Sequence, residues 1–268
     1  MRVHLVQLDV VWEDKPANYR RVLKLLDRAA LPPAPGEMIV LPEMFDTGFS
    51  FNVEKTADRD GTTMRFLQAL GRETGCFVIG ARTTIGHEGK GRNRCPIVNP
   101  AGELIDEYEK IHPFSYGDEQ KHFVGGTRLV TFDWSGGGGD GPKAQSLKVC
   151  PTICYDLRFP ELYRHGLLAG AEVFTVIASW PAPRKVHRRA LAVARAIENQ
   201  AFVLCLNRAG SDPRFTYQGE SFCVGPRGDI IGEAGGEECI LSVQLDPGAV
   251  RTWRADFPAW KDIRLIGN

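Results

Sequence analysis

The sequence predicts an α/β protein in which helices cover mixed β-sheets. Apolar runs typical of buried strands alternate with amphipathic helices in some places and with Gly-rich hairpin turns in others. The order strand, helix, strand, helix, strand and hairpin occurs twice, in residues 1 to about 110 and in residues 145 to 245. Two sheets packed face to face, each covered outside by helices, would bury all of these strands.

The composition is that of one globular domain. Gly and Pro are scattered along the 268 residues without a break, so we expect a single domain over residues 1–268 with a C-terminal tail from about residue 247. The 33 basic and 33 acidic residues balance, so no net charge recruits nucleic acid or anionic lipid. A small molecule is the expected partner.

The sequence also predicts a cytoplasmic protein with no membrane partner. The N-terminal segment turns acidic after about ten residues and shows no small-residue cleavage site. No window approaches the ~20 apolar residues that a membrane-spanning helix needs. Seven cysteines, an odd number, lie mostly in apolar strand-like segments, which is typical of buried reduced thiols.

The elements of the first half follow from hydrophobic periodicity. Asp14 and Pro16 open a helix that the prolines from Pro32 onwards end, and residues 62–74 form a second amphipathic helix. The predicted strands of this half cover residues 3–11, 38–41, 76–81, 95–98 and 104–108.

The second half begins after residues 111–128, which lack periodicity; a long irregular loop in a compact domain is more often functional than idle. Residues 135–144 are too Gly-rich to pack and predict a flexible surface connection. Helices are expected over residues 184–199 and from Pro247 onwards. Strands are expected over residues 129–134, 147–154, 172–179, 201–207, 220–225, 229–233 and 238–245.

Residues 147–162 form the junction around which the chain is organised. An apolar run leads to Cys154 and then breaks into a polar turn, after which Pro160 and Glu161 have the character of a first helical turn. A thiol at such a junction faces a crevice, close to backbone N–H groups that favour negative charge. We therefore expect Cys154 to react as a thiolate nucleophile.

Polar groups end three strands that otherwise read as buried: Glu43, Lys110 and Cys154. Groups at strand ends of α/β sheets converge on one crevice, so the three can share a site. Each also has a simpler interpretation, as a turn cap, a solvated strand-end charge and a core thiol respectively. Their conjunction favours the site.

Three motifs carry a resemblance to a known family. Residues 41–45 (LPEMF), 109–112 (EKIH) and 153–161 (ICYDLRFPE) resemble the three signatures of the nitrilase, or carbon–nitrogen hydrolase, superfamily. Residues 180–184 (WPAPR) and 194–200 (ARAIENQ) are similar to segments of its amidase branch, in particular the ω-amidases. The match covers nearly the whole chain in order.

The resemblance implies a four-layer α-β-β-α sandwich and a catalytic triad at Glu43, Lys110 and Cys154. Thiol attack on an amide divides a hard hydrolysis into acylation and deacylation. Glu43 would move the protons, and Lys110 with the backbone N–H of Tyr155 would stabilise the oxyanion. This chemistry implies no cofactor and no metal.

The resemblance also suggests substrate-binding residues, each with an alternative. Glu119 fits a second glutamate that supports the lysine, or belongs to a solvated acidic pair with Asp118. Arg158 could grip a substrate carboxylate, or pair with Asp156 or Glu161. The aromatic side chains expected to line the pocket, with core packing as the alternative, are Phe114, Tyr116 and Trp180.

Other kinds of site fit the sequence less well. Cys150 and Cys154 are four residues apart in a predicted strand, more than ~12 Å, which is too far for a disulfide. The histidines show no ligand spacing with a paired cysteine, so a zinc site is not expected. A non-catalytic binding protein on the same fold would be expected to have lost at least one of the three strand-end residues.

The favoured substrate is the ω-amide of a small 2-oxo acid such as 2-oxoglutaramate, because residues 180–184 and 194–200 resemble ω-amidases most. Deaminated glutathione and an N-carbamoyl amino acid stay open as alternatives. The family commonly forms homodimers, so we expect one here. The helix over residues 184–199 and the aromatic tail residues could form the interface, although the latter could equally pack on their own core: Trp253, Phe257 and Trp260.

Overall fold

The computed structural model of this chain describes residues 1–86, 88–136 and 146–265. Within these ranges the helices are α1 (Lys15–Asp27), α2 (Val53–Thr56), α3 (Thr62–Thr74), α4 (Glu119–His122), α5 (Pro160–Leu168), α6 (Lys185–Asn199) and α7 (Pro247–Asp256). The strands are β1 (Arg2–Gln7), β2 (Met38–Val40), β3 (Phe77–Ile79), β4 (Arg82–Ile85), β5 (Gly91–Val98), β6 (Leu104–Glu109), β7 (Phe132–Ser135), β8 (Ser146–Ile153), β9 (Val173–Ala178), β10 (Phe202–Asn207), β11 (Ala209–Ser211), β12 (Thr216–Gln218), β13 (Phe222–Val224), β14 (Ile230–Glu233) and β15 (Cys239–Gln244). Most of the predicted Gly-rich connection, residues 137–144, lies outside the described residues.

The strands form two large mixed sheets. The first has the order β15-β1-β2-β3-β5-β4, with β6 also paired to β5, and its strands β1, β2 and β3 are parallel. The second has the order β14-β13-β10-β9-β8-β7, with β8, β9 and β10 parallel. Parallel strands that follow one another bring their carboxyl ends to one edge of the sheet.

The two sheets pack face to face between outer layers of helices. Side chains such as Leu5 and Val40 of the first sheet share one buried cluster with Ile153 and Leu204 of the second. Helices α1 and α3 cover the outside of the first sheet, and α5 and α6 cover the outside of the second. The predicted α-β-β-α sandwich is confirmed.

Local sequence explains where the helices begin and end. The Asp14 side chain accepts a hydrogen bond from the backbone N–H of Ala17 at 3.0 Å, and Pro16 occupies the first turn of α1. Helix α3 ends at Gly75, whose φ of 65° lies in the left-handed region that glycine adopts without strain. Its bounds agree with the predicted residues 62–74.

The structure departs from the predicted pattern at several places. β15, expected to belong with the second half, pairs antiparallel with β1 at the edge of the first sheet, Leu241 opposite Leu5. β1 ends at Gln7 rather than at residue 11. The short hairpin of β11 and β12 was not predicted, because three-residue strands carry too little alternation to be recognised.

Three further findings concern the length and hydrophobicity of the helices, the thiols and the C-terminal region. No helix among residues 1–86, 88–136 and 146–265 is long and apolar enough to cross a membrane. All seven cysteines are free thiols, and Cys154 and Cys239 are the two that keep some exposure. In the C-terminal region Trp253 stacks on Phe257 at 5.2 Å, and Arg254 of α7 donates to the backbone carbonyl oxygen of Ala171.

Candidate active site

The three predicted strand-end residues lie at the same end of the sandwich. Glu43 follows β2, Lys110 directly follows β6 and Cys154 directly follows β8. The backbone is strained at two of these turns, with φ of 46° at Met44 and 49° at Cys154. A non-glycine residue in this region costs roughly 1–2 kcal/mol, and such strain concentrates at functional sites.

Glu43, Lys110 and Glu119 form one buried ionic array. The Lys110 ammonium donates to Glu43 Oε1 at 2.9 Å and to both carboxylate oxygens of Glu119, at 3.1 and 2.8 Å. Lys110 is 1% exposed and the two glutamates are 0% exposed. Glu119 therefore contacts the lysine as predicted and is no part of a solvated acidic pair.

Charge balance fixes the protonation of this array. Burial alone lowers the pKa of Lys110, but the charges of Glu119 and Glu43 outweigh burial and raise it, so the ammonium keeps its proton. Burial raises the pKa of Glu119, although the Lys110 charge opposes the shift. Two carboxylates share one ammonium, so the array has negative charge in excess when both are ionised.

The remaining contacts of Glu43 orient its carboxylate. Asn93 Nδ2 donates to Oε1 at 2.9 Å, and the backbone N–H of Ser179 donates to Oε2 at 2.9 Å. Neither residue was predicted. Asn93 occupies a buried position of β5, and an asparagine where the alternation places an inward-facing side chain is a signal that could have found it.

The thiol of Cys154 is protonated in this environment. Burial raises its pKa well above the usual value, and the charge of Glu43 raises it further, while Lys110 opposes both. The Cys154 thiol and the Glu43 carboxylate line the same cavity. Burial and the neighbouring carboxylate thus favour the protonated thiol, which agrees with the expectation that Glu43 takes this proton when the thiol reacts.

Asp156 joins the turn after β8 to the strand that carries the lysine. Its Oδ2 accepts from the Tyr108 hydroxyl at 2.7 Å and from the Ile153 backbone N–H at 3.0 Å. Its Oδ1 accepts from the backbone N–H of His112 at 3.0 Å. Tyr108 and His112 flank the lysine two residues on either side, and Ile153 directly precedes the cysteine. One buried carboxylate thus sets the spacing of two candidate catalytic groups.

These groups line a single cavity of about 410 Å³, counting the space at its opening. One end of the cavity, called the floor below, consists of Glu43, Lys110 and Cys154, with Glu119 behind the lysine. Its other end, called the mouth, consists of the partly exposed residues Phe114, Arg158 and Arg184. The residues lining the cavity are Glu43, Phe49, Lys110, Phe114, Cys154, Tyr155, Arg158, Ser179, Trp180, Pro181, Arg184, Phe215 and Tyr217.

Most predicted substrate-binding side chains lie at this cavity. Phe114, Tyr155, Arg158 and Trp180 line it, and Glu119 lies behind the lysine. Tyr116 does not line it and is not core either, because 81% of the residue is exposed. Both interpretations of Tyr116 are therefore wrong; its ring instead lies 5.1 Å from the guanidinium carbon of Arg184.

Arg158 makes neither of the ion pairs considered as alternatives. Its guanidinium lies over the rings of Trp180 and Tyr155, at 5.0 and 5.9 Å from their centroids, and Nη2 approaches His187 Nδ1 at 3.3 Å. Asp156 is occupied by the contacts described above. The side chain thus reaches the cavity with no carboxylate partner in the described part of the chain.

Within the described ranges, no group of three or more His, Cys, Asp and Glu side chains is arranged as metal ligands. Cys150, the other half of the spacing considered for a disulfide, is a buried free thiol.

Comparisons with known proteins agree with this geometry. The chain is 34% identical to the ω-amidase YafV of Escherichia coli K12 over 98% of this chain and 96% of that protein. It is 30% identical to the 2-oxoglutaramate amidase of Bacillus subtilis over 98% of this chain and 97% of that protein. XC1258 of Xanthomonas campestris, a CN-hydrolase superfamily protein solved with an arsenic adduct in its active site, superposes with a TM-score of 0.88 at 28% identity, covering 100% of this chain and 98% of that one.

A family description settles the classification. The carbon–nitrogen hydrolase model matches residues 2–255, which include all three motifs and both sheets. Nit3 of Saccharomyces cerevisiae, a nitrilase superfamily member, superposes with a TM-score of 0.82 at 28% identity over 96% of this chain and 94% of that one. The chain belongs to the carbon–nitrogen hydrolase family.

Proposed function

We propose that this enzyme is a thiol amidohydrolase that converts the ω-amide of a small 2-oxo acid, such as 2-oxoglutaramate, to the acid and ammonia. The observation that carries the proposal is the buried array of Glu43, Lys110 and Glu119 around the thiol of Cys154 in one cavity. The names of the relatives in Escherichia coli and Bacillus subtilis support the choice of amide.

Acylation begins with a proton transfer. Glu43 takes the thiol proton as the sulfur of Cys154 attacks the amide carbon, so no free thiolate has to form in the resting enzyme. The carbonyl oxygen becomes an oxyanion beside the Lys110 ammonium and the backbone N–H of Tyr155. One such donor is worth ~3 kcal/mol of barrier. The C–N bond then breaks as Glu43 returns the proton to nitrogen. Ammonia departs, and the acyl group remains bound to Cys154 as a thioester.

Deacylation uses the same groups in reverse order. Glu43 takes a proton from a water molecule that attacks the thioester carbon, and the sulfur leaves and regains the proton. Glu119 holds the lysine between two carboxylates throughout, so the ammonium stays fixed where the oxyanion forms. Each step balances with these residues and water, so the mechanism calls for no metal or cofactor.

The mouth suits a substrate whose far end is a carboxylate. Arg158 presents its guanidinium to the cavity beside Trp180 and without a carboxylate partner among the described residues. The cavity between the mouth and the floor is lined by aromatic rings, which suits a short carbon chain. These rings belong to Phe49, Phe114, Trp180, Phe215 and Tyr217. An amide at one end and a carboxylate at the other match this polarity.

We further propose that the protein works as a cytoplasmic homodimer, with neither nucleic acid nor membrane as a partner. Large apolar side chains are exposed along α6 and in the C-terminal region, with Val186 72%, Ile197 52% and Phe257 54% exposed. Light scattering at micromolar concentration is expected to give twice the monomer mass, and a monomeric mass would contradict the dimer.

Ammonia release tests the function directly. The purified protein is assayed with 2-oxoglutaramate, glutamine, an N-carbamoyl amino acid and an aliphatic nitrile. Rapid release from the oxo-amide alone is expected. Release from none of them, in protein whose Cys154 alkylates readily with iodoacetamide, would contradict the substrate while leaving a thiol hydrolase. Release from the nitrile or the carbamoyl compound alone would move the enzyme to another branch of the family.

A further inference from the structure

We infer that Arg184 binds the carboxylate of the substrate and that Tyr116 positions Arg184 for this task. The inference rests on the proposed function and names the residues that would make it selective for an amide carrying a negative charge. It also assigns a role to Tyr116, which lies outside the cavity.

The charge of the floor determines which end of the substrate can enter it. Two buried carboxylates, Glu43 and Glu119, face one ammonium there, and the ammonium is already bonded to both. A substrate carboxylate at the floor would meet like charges on side chains that are shielded from solvent, which is strongly unfavourable. The neutral amide end can enter, so the carboxylate has to remain at the mouth.

Arg184 is the cation at the mouth with the most donors to offer. It ends the 3₁₀ turn Ala182–Arg184, lines the cavity, and its guanidinium carbon lies 5.3 Å from the Phe114 ring and 5.1 Å from the Tyr116 ring. Its guanidinium donates to no acceptor within residues 1–86, 88–136 and 146–265. Aromatic rings contact the flat faces of a guanidinium and leave the N–H groups at its edge free. These N–H groups can donate two parallel hydrogen bonds to a carboxylate.

The neighbouring cations are less available. Arg158 Nη2 is shared with His187, and Lys185, next in sequence, is paired with Glu220 at 3.1 Å. Trp180 connects both arginines of the mouth. Its ring lies under Arg158, and its Nε1–H donates to the backbone carbonyl oxygen of Arg184 at 2.9 Å. The backbone of Arg184 is therefore held while its side chain is held only by rings.

The loop that supplies Glu119 also supplies these rings. The backbone N–H of Phe114 donates to Glu119 Oε2, so the ring beneath Arg184 and the carboxylate beside the lysine are fixed by the same hydrogen bond. Tyr116 lies on the solvent side of this loop, 6.0 Å from Phe114. Its exposed ring covers the guanidinium without contacting the cavity, so it acts on the substrate through Arg184.

The test compares two amides that differ in one charge. Succinamate and succinamide have nearly the same shape, but only the first carries a carboxylate. For Arg184→Gln we expect KM for succinamate to rise about 10- to 100-fold with kcat nearly unchanged, the range for losing a charge-assisted hydrogen bond. KM for succinamide should change less than about threefold. Arg184→Lys should restore part of the loss, because it keeps the charge but loses the planar fork.

Two further variants complete the experiment. Tyr116→Ala should raise KM for succinamate about three- to tenfold and leave succinamide unchanged; this ring is 81% exposed, so folding is not at issue. Lys185→Gln removes an adjacent cation that does not line the cavity and should change neither KM.

The outcomes separate this inference from the proposed function. Wild-type protein that hydrolyses neither succinamate nor 2-oxoglutaramate would overturn both. Wild-type protein that hydrolyses them, with Arg184→Gln and Tyr116→Ala unchanged or equally impaired on succinamide, would overturn the role of Arg184 alone. Loss confined to the charged amide in both variants would establish it.

Discussion

The floor and the mouth of the cavity both contain charged side chains, but these side chains are held in different ways. At the floor, Lys110 and Glu43 are almost fully buried and are held mainly by directed hydrogen bonds near 2.9 Å, although the Lys110 ammonium also lies 5.4 Å from the Phe49 ring. At the mouth, Arg158 and Arg184 are partly exposed and rest mainly on aromatic rings. Directed bonds fix an atom in place, whereas ring contacts allow it to shift.

This difference separates chemistry from selectivity. Groups that stabilise a transition state have to be in place before the reaction, because reorganising them during the reaction raises the activation free energy. Groups that bind the far end of a substrate can adapt to it. Changes to the floor should therefore lower kcat, and changes to the mouth should raise KM.

The largest effect is expected at the general base. Glu43→Gln keeps the shape of the side chain but cannot take a proton, so kcat should fall roughly 10³- to 10⁴-fold. The pKa of Cys154 should fall in the same variant, since burial still raises it but the charge of Glu43 no longer does. Iodoacetamide should therefore alkylate the inactive variant faster than the wild type near neutral pH. Turnover within tenfold of wild type would contradict the role of Glu43.

Glu119→Gln should have the next largest effect. Lys110 would lose one of its two anionic partners and part of its fixed position, so kcat should fall about 100-fold while KM changes little. Steady-state kinetics with 2-oxoglutaramate measure both constants. A change confined to KM would make Glu119 a substrate contact and would blur the division between floor and mouth.

Asp46 is a buried carboxyl close to the floor in sequence, and its ionisation should make the stability of the fold depend on pH. It lies three residues after Glu43, is fully buried and accepts from Thr63 Oγ1 at 2.8 Å. Burial raises its pKa to about 6, against the opposing charge of Lys15. A carboxyl with a raised folded-state pKa contributes stability below about pH 4 that is lost as pH rises through about pH 6.

The corresponding variant is Asp46→Asn, which cannot ionise. In the wild type, ionisation of Asp46 between about pH 4 and about pH 6 should lower the free energy of unfolding by about 3 kcal/mol. Urea unfolding from about pH 4 to about pH 7 should show a flatter pH profile for the variant than for the wild type. Parallel profiles would show that Asp46 does not titrate in this window.

The smallest effect is expected on the aromatic wall. Tyr217 lines the cavity, donates its hydroxyl proton to Asp212 at 2.6 Å and lies over Arg208 at 4.5 Å. Tyr217→Phe keeps the ring, so kcat should change less than about threefold, while stability falls by about 1 kcal/mol for the lost hydrogen bond. A kcat reduced 100-fold would give the hydroxyl a part in catalysis.

The sequence identified residues whose position is set locally. Glu43, Lys110 and Cys154 each lie just after a strand, and groups at the strand ends of α/β sheets converge on one crevice. Helix α3 was predicted to the residue because its period and its terminal Gly75 are adjacent in the chain. These features need no knowledge of distant packing.

Features that depend on distant contacts were missed. The backbone of Ser179 reaches Glu43 across 136 residues, and no local pattern marks that bond. Which sheet β15 joins depends on which sheet has an edge strand that is free to pair, and the local sequence does not show this. The predicted pocket position of Tyr116 was wrong because a loop side chain can point into the cavity or into solvent.

The most direct test of the central claim is the mass of the enzyme during turnover. Wild-type protein mixed with 2-oxoglutaramate and quenched in acid should gain the mass of the substrate less ammonia, on the peptide that contains Cys154. Cys154→Ala should show no adduct and no ammonia release, with nearly unchanged thermal unfolding. Continued release by Cys154→Ala, or an adduct on another residue, would contradict covalent catalysis at the floor.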